Sequence, residues 1–249
     1  MQKIILNKIE KGERLDADEA RRLLQEADTL ALGELASMKR YSIHPQEVVT
    51  YVVDRNINYT NICRSGCRFC AFYRSPGSPE GYIISRQELA RKIEETLDQG
   101  GTQILLQGGI HPELPLSYYE DLLQYIRDNF SIHIHGFSPP EIAFLAQKSA
   151  LSIKDVLERL IASGLGSIPG GGAEILDDDV RSRISPNKCD TSTWLEVMRA
   201  AHRLGLKTTA TMMFGHIETT EQMIGHMLKI RELQDETGGF TAFIPWTFQ

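Results

Sequence analysis

From residue 48 onward the sequence alternates short apolar runs with amphipathic segments of helical period, a rhythm that restricts the chain to an α/β fold on a parallel sheet. Six runs read as strands, at residues 49–53, 102–106, 132–135, 166–168, 207–214 and 241–245, most of them continuously apolar like strands buried on both faces. Between them Leu89, Ile93 and Leu97 share one helical face, as do Tyr119, Leu122, Leu123 and Ile126, and later Trp194, Val197, Met198 and Ala201. Met223, Met227 and Ile230 form a further stripe that reads as core. Ser85 with Glu88, Ser117 with Glu120 and Thr219 with Gln222 fit the capping box, while glycines at 100–101, 164, 205 and 238–239 stand where helices hand over to strands. Before residue 45 no strand is legible. There Asp16 and Glu19 cap a helical pattern, so residues 1–45 are expected to form a helical extension ahead of a barrel or open sheet at 46–249.

Composition narrows the partners. A chain of 249 residues with 41% hydrophobic and 24% charged residues can bury a large core, in one α/β domain or two small ones. A net charge of -6 without a Lys/Arg cluster disfavours nucleic acid, since phosphate binding rests on clustered cations. No apolar run approaches membrane-spanning length, so a cytoplasmic protein without a membrane partner is expected.

Three of the four cysteines, Cys63, Cys67 and Cys70, fall in one short loop directly after the first apolar run, and Cys189 lies far away. Structural zinc ligands usually arrive as two separated pairs, and His111, His133, His135 and Cys189 do not supply the second pair. Three buried, unrelated cysteines fit the charged and glycine-bearing loop poorly. Three thiolates can instead hold three irons of a 4Fe-4S cluster and leave the fourth iron open to a small molecule.

With Phe69 preceding the third cysteine, the Cys-x3-Cys-x-aromatic-Cys pattern resembles the signature of the radical S-adenosylmethionine (SAM) superfamily. The resemblance implies a TIM-type (β/α) barrel in which Cys63, Cys67 and Cys70 hold a 4Fe-4S cluster whose open iron chelates SAM. It also implies that Phe69 packs beside the adenine, that the backbone around Phe72 bonds its edge, that Gly108 and Gly109 admit the SAM methionine, and that Glu174 binds the ribose. A complete barrel has eight strands and six are legible, so the resemblance implies one cut short after about six strands, its C-terminal part missing.

The segments CAFYRSPGSPEGY, LLQGGIHPELPL, SPPEI, SIPGGGAEIL, RISPNKC, TATMMFGHIE and ELQDETGGFTAFIPWTFQ together resemble the cyclic dehypoxanthinyl futalosine synthases of the futalosine route to menaquinone. That family resemblance implies an oxidative ring closure of dehypoxanthinyl futalosine, driven by a low-potential electron donor such as flavodoxin or ferredoxin. Its last step calls for an acid/base group, and His111, His135, His216 and Glu218 all follow strand ends, with His216 and Glu218 the preferred candidates. Cys189 is expected to be a non-ligand. Aminofutalosine synthase and the deazaflavin-cofactor synthases are the rival enzyme families, and an iron-sulfur electron carrier or sensor the rival without catalysis.

Overall fold

The computed structural model describes residues 2–249, and helices and parallel strands alternate along them. Three helices come first, α1 (Gln2–Glu10), α2 (Ala17–Glu26) and α3 (Thr29–Ile43), followed by β1 (Asp54–Asn58), α4 (Arg86–Asp98), β2 (Gln103–Gln107), α5 (Leu116–Asn129) and β3 (His133–Gly136). Next come α6 (Pro139–Ser149), α7 (Ile153–Ser163), β4 (Ser167–Ile168), α8 (Asp178–Ile184), α9 (Thr191–Arg203), β5 (Lys207–Phe214), α10 (Thr220–Thr237) and β6 (Phe240–Thr247). The six strands lie in sequence order, each parallel to the next, and form a half-barrel with β1 and β6 at its edges.

The helical stripes read from sequence are where the core forms. Leu89, Ile93, Leu123, Ile126, Trp194, Val197, Met198 and Ala201 are buried in one continuous cluster with Ile104, Leu106 and Ile168 of the strands. Each large aliphatic side chain so buried contributes roughly 1.5–3 kcal/mol. Met223 and Met227 pack against a smaller cluster of Ile175, Val180, Ile184, Met212 and Met213, so that stripe is core as expected. The N-terminal helices dock at the β6 side of the sheet, where Arg14 pairs with Asp235 of α10 and Arg231 donates to Leu15 O at 2.8 Å.

Two expectations from sequence need correction. The first strand is not the apolar run at 49–53, where Val49 is 82% and Tyr51 87% exposed, but the polar stretch Asp54–Asn58. Its register, Asn56 opposite Leu105 and Asn58 opposite Gln107, turns Asn56 and Asn58 into a cavity and sends Arg55 to Glu95 of α4. A strand that turns Asn56 and Asn58 into a ligand-sized cavity cannot display the apolar run used to find it. The second correction concerns Ser117 and Glu120: α5 starts at Leu116 behind Pro115 with no side-chain cap, and Glu120 instead takes both Nε and Nη2 of Arg159 on α7, at 2.6 and 2.7 Å. The boxes at Asp16/Glu19 and Thr219/Gln222 form, and Ser85 accepts from Glu88 N while the Glu88 carboxylate turns to Arg91.

Candidate active site

The cysteine loop leaves the C-terminal end of β1 and is tied down on both sides. Cys63 N donates to Arg74 O and Arg74 N to Asn61 O, which closes the loop at its base; Arg64 N donates to Ile110 O, and Arg68 N to Ile184 O at the end of α8. The Cys63 thiol sulfur accepts backbone N–H bonds from Ser65 (3.4 Å) and Ile110 (3.3 Å), which fix its position against the turn after β2. Cys67 is buried, which pushes its thiol up to about 11, although the nearby Lys188 ammonium pulls the other way. That thiol therefore ionises when a cation or metal supplies the missing charge.

All three thiols line one cavity of about 530 Å³ at the carboxyl ends of the strands, together with Phe69, Phe72, Gly108 and Gly109. The glycines sit where the turn after β2 presses on the cysteine loop. A Cβ on Gly108 would stand 2.6 Å from the Tyr59 ring, and one on Gly109 would stand 2.2 Å from Ile62 O and 2.8 Å from Cys63 Cβ. Phe69 meets Trp246 edge-on at 6.4 Å, whereas Phe72 is 42% exposed and leans on Tyr82.

Glu174 is held in the left-handed region at φ 44°, an unusual conformation for a side-chain-bearing residue. The strain of about 1 kcal/mol or more has a visible cause. Arg181, almost fully buried, donates to the Gly172 and Ala173 carbonyls at 3.0 and 2.6 Å and to Cys189 O at 3.2 and 2.5 Å, stapling the glycine-rich turn to the 188–189 turn. Within that frame Glu174 forms an ion pair with Lys188 at 2.5 Å, the two side chains only 3% and 15% exposed.

Sequence reasoning missed two residues of this site. Lys188 lines the cavity and lies 5.4 Å from the Phe69 ring centroid. Glu141, at the start of α6, also lines it; its carboxylate accepts from Tyr59 OH at 2.5 Å, from Ser138 Oγ and from Gly108 N at 3.3 Å. Burial pushes Glu141 up to about 7 against those hydrogen bonds. Only the strand-end position of the SPPEI segment could have pointed to it.

His216 and Glu218 are brought together, Nδ1 to Oε2 3.0 Å, but neither lines the cavity. Glu218 accepts from Gly215 N (2.5 Å) and His216 N (3.0 Å), while His216 accepts at Nδ1 from Ile217 N and donates from Nε2 to Met213 O. Both ring nitrogens and both carboxylate oxygens serve their own turn. His135 shares Ser167 Oγ with His133 and is lowered to about 4 by burial, and His111 Nδ1 accepts from Glu113 N. Cys189 is likewise outside the lining of the three-thiol cavity.

Among the described residues no three His, Cys, Asp or Glu side chains converge on a point that could hold a single metal ion. A cluster asks something else, since each thiolate must reach its own iron. Three thiols on one cavity wall, two N–H donors on one sulfur, and adjoining space of this volume fit a cluster with a small molecule beside it.

The Radical SAM superfamily profile matches residues 57–230. The chain belongs to that superfamily. Membership implies a 4Fe-4S cluster and SAM as cofactors. The chain is 44% identical over 246 residues to the cyclic dehypoxanthine futalosine synthase of Halalkalibacterium halodurans, covering 98% of this chain and 66% of that protein. It is 45% identical over 203 residues to the 5-amino-6-(D-ribitylamino)uracil–L-tyrosine 4-hydroxyphenyl transferase of Methanopyrus kandleri, covering 81% of this chain and 55% of that protein. The half-barrel superposes on HydG, a maturase of the [FeFe]-hydrogenase, with a TM-score of 0.79 at 18% identity over 100% of this chain and 55% of that one. The chain thus spans between about half and two thirds of the length of these curated relatives. Among the described residues no helix is long and apolar enough to cross a membrane.

Proposed function

We propose that this radical SAM chain serves the oxidative cyclisation of dehypoxanthinyl futalosine in menaquinone biosynthesis. The observation that carries the reading is the reach of the match: similarity to the futalosine cyclase runs through 98% of the chain, the N-terminal helices included, whereas similarity to the transferase covers 81%. Percentage identity alone does not separate the two.

In this reading Cys63, Cys67 and Cys70 hold the cluster, and Gly108 and Gly109 leave room for the methionine of SAM. Phe69 and the backbone around Phe72 take the adenine, and Glu174, which lies outside the cavity lining, serves the ribose side through its ion pair with Lys188 on the cavity wall. When bound, the cluster and SAM supply one-electron reductive cleavage of SAM and abstraction of a hydrogen atom from substrate. The chain's own contribution is placement and shielding. Phe69 and Trp246 wall the cavity with apolar surface, which keeps water from a reactive radical. Glu141, a buried carboxyl near neutrality, is better placed than His216 or Glu218 to take up the proton released when the ring closes, because it lines the cavity and they do not. A low-potential flavodoxin or ferredoxin would deliver the electron.

A second reading, aryl transfer from tyrosine to a ribityl-aminouracil, is kept by the 45% identity to the transferase. One experiment separates them. Anaerobically reconstituted protein is given SAM, reductant and either dehypoxanthinyl futalosine or tyrosine with the aminouracil, and products are weighed by mass spectrometry. We expect 5′-deoxyadenosine and a futalosine product lighter by the hydrogen atom and proton removed. A tyrosine-derived adduct without any cyclised product would replace the first reading with the second.

A further inference from the structure

Lys188 belongs to the RISPNKC segment and lies opposite the cysteine loop. Its ammonium bonds Glu174, faces the Phe69 ring and borders the cavity that Cys67 lines. Lys188 shares the cavity lining with Cys63, Cys67 and Cys70, whereas Glu174 is not part of that lining. The pair is thus oriented, cation toward the cysteines and carboxylate behind. Arg181 holds that orientation, since it bonds the carbonyls of the turn before Glu174 and the Cys189 carbonyl just after Lys188.

We propose that Lys188 is a positioning residue for the redox step: its fixed positive charge, held beside the cysteine loop by the turn that Arg181 staples, raises the reduction potential of the cluster. The proposal rests on the reading that Cys63, Cys67 and Cys70 hold a 4Fe-4S cluster. A cluster bound by three thiolates is anionic, and the electron it accepts from a reductant makes it more so. A nearby buried cation therefore favours the reduced state. The same charge explains why a lysine is buried beside a cavity wall when a neutral residue would avoid the desolvation cost.

The test is a one-electron titration of the reconstituted full chain with dithionite, without SAM, followed by electron paramagnetic resonance, with iron and sulfide analysed in every variant. Lys188→Met should lower the reduced-to-oxidised ratio at fixed ambient potential at least tenfold, about 59 mV for a one-electron couple. Glu174→Gln should shift it upward, because it removes the opposing charge and keeps the cation. The double variant should fall between wild type and Lys188→Met, and Lys188→Arg should stay close to wild type. A merely structural role cannot give shifts of opposite sign from the two halves of one ion pair. An unchanged potential in cluster-replete Lys188→Met, or a downward or absent shift in Glu174→Gln, overturns the proposal. Should Lys188→Met lose its cluster, the sign of the Glu174→Gln shift decides alone. Failure of wild type to assemble any 4Fe-4S cluster would overturn the cluster reading, and the role of Lys188 with it.

Discussion

Glu174 and Glu218 follow the ends of neighbouring strands, β4 and β5, and each is buried next to a basic side chain, Lys188 for the first and His216 for the second. Their hydrogen bonds go to different places. Glu218 spends both oxygens on the backbone of its own turn. Glu174 is held by a partner from another segment, in a strained backbone, with that partner on the wall of the cavity that the cysteines line. A strand-end carboxylate at a barrel mouth is therefore not by itself a catalytic group. What separates the two is whether the bonding partner belongs to the carboxylate's own turn or stands on the cavity wall.

The comparison can be broken in several ways, beginning with the loop that gives the Glu174 side its meaning. Alanine at Cys63, Cys67 or Cys70 should abolish the cluster, while Cys189→Ala should retain it; iron and sulfide content after anaerobic reconstitution reads this directly. A Cys189→Ala protein without iron would overturn the ligand assignment. Next in size is Arg181→Met, which strips the staple from the Glu174 turn and leaves several carbonyls unbonded. It should lower stability in denaturant titration by about 3–5 kcal/mol, the usual cost of breaking a buried charged network. A loss below about 1 kcal/mol would mean that the turn holds its shape without Arg181.

The two carboxylates themselves give a smaller and more diagnostic contrast. Glu174→Gln should weaken SAM binding, measured by equilibrium titration, by roughly tenfold or more while the cluster content stays full. Glu218→Gln should leave SAM binding unchanged and cost about 1–2 kcal/mol of stability through weakened backbone bonds. Equal effects of both variants on SAM affinity would erase the distinction. The smallest effect is in pH. Burial raises the Glu218 carboxyl, yet the N–H groups of Gly215 and His216 outweigh it and hold its pKa below the ordinary glutamate value. A depressed carboxylate stabilises the fold fully above its unfolded pKa and loses that contribution as pH falls through the folded one. The stability difference between wild type and Glu218→Gln should accordingly be constant near neutrality and shrink in acid below the usual glutamate range. A difference that grows in acid would give the carboxylate the opposite role.

The β/α alternation, five of the six strand positions, the helix faces and the three-cysteine loop were all legible in the chain, because each is encoded locally by periodicity or spacing. The position of β1 was not. Its inner residues Asn56 and Asn58 are polar side chains turned into the cavity, while the apolar run before it remains exposed. Lys188 and Glu141 were silent for a related reason. Nothing local marks a buried lysine or glutamate as different from a solvated one until its partner arrives from another strand end.

By itself the sequence determined the parallel β/α order and a loop with three thiols at cluster spacing, since hydrophobic period and short-range spacing need no distant partner. Only the tertiary structure decided which charged groups share the cavity. Burial, pairing and orientation arise when segments far apart in sequence, such as residues 59, 108 and 141 or 67, 174 and 188, meet at the mouth of the half-barrel. A side chain's charge and reach are written in its own residue, but the dielectric and the partners that set its chemistry are supplied by its neighbours in space.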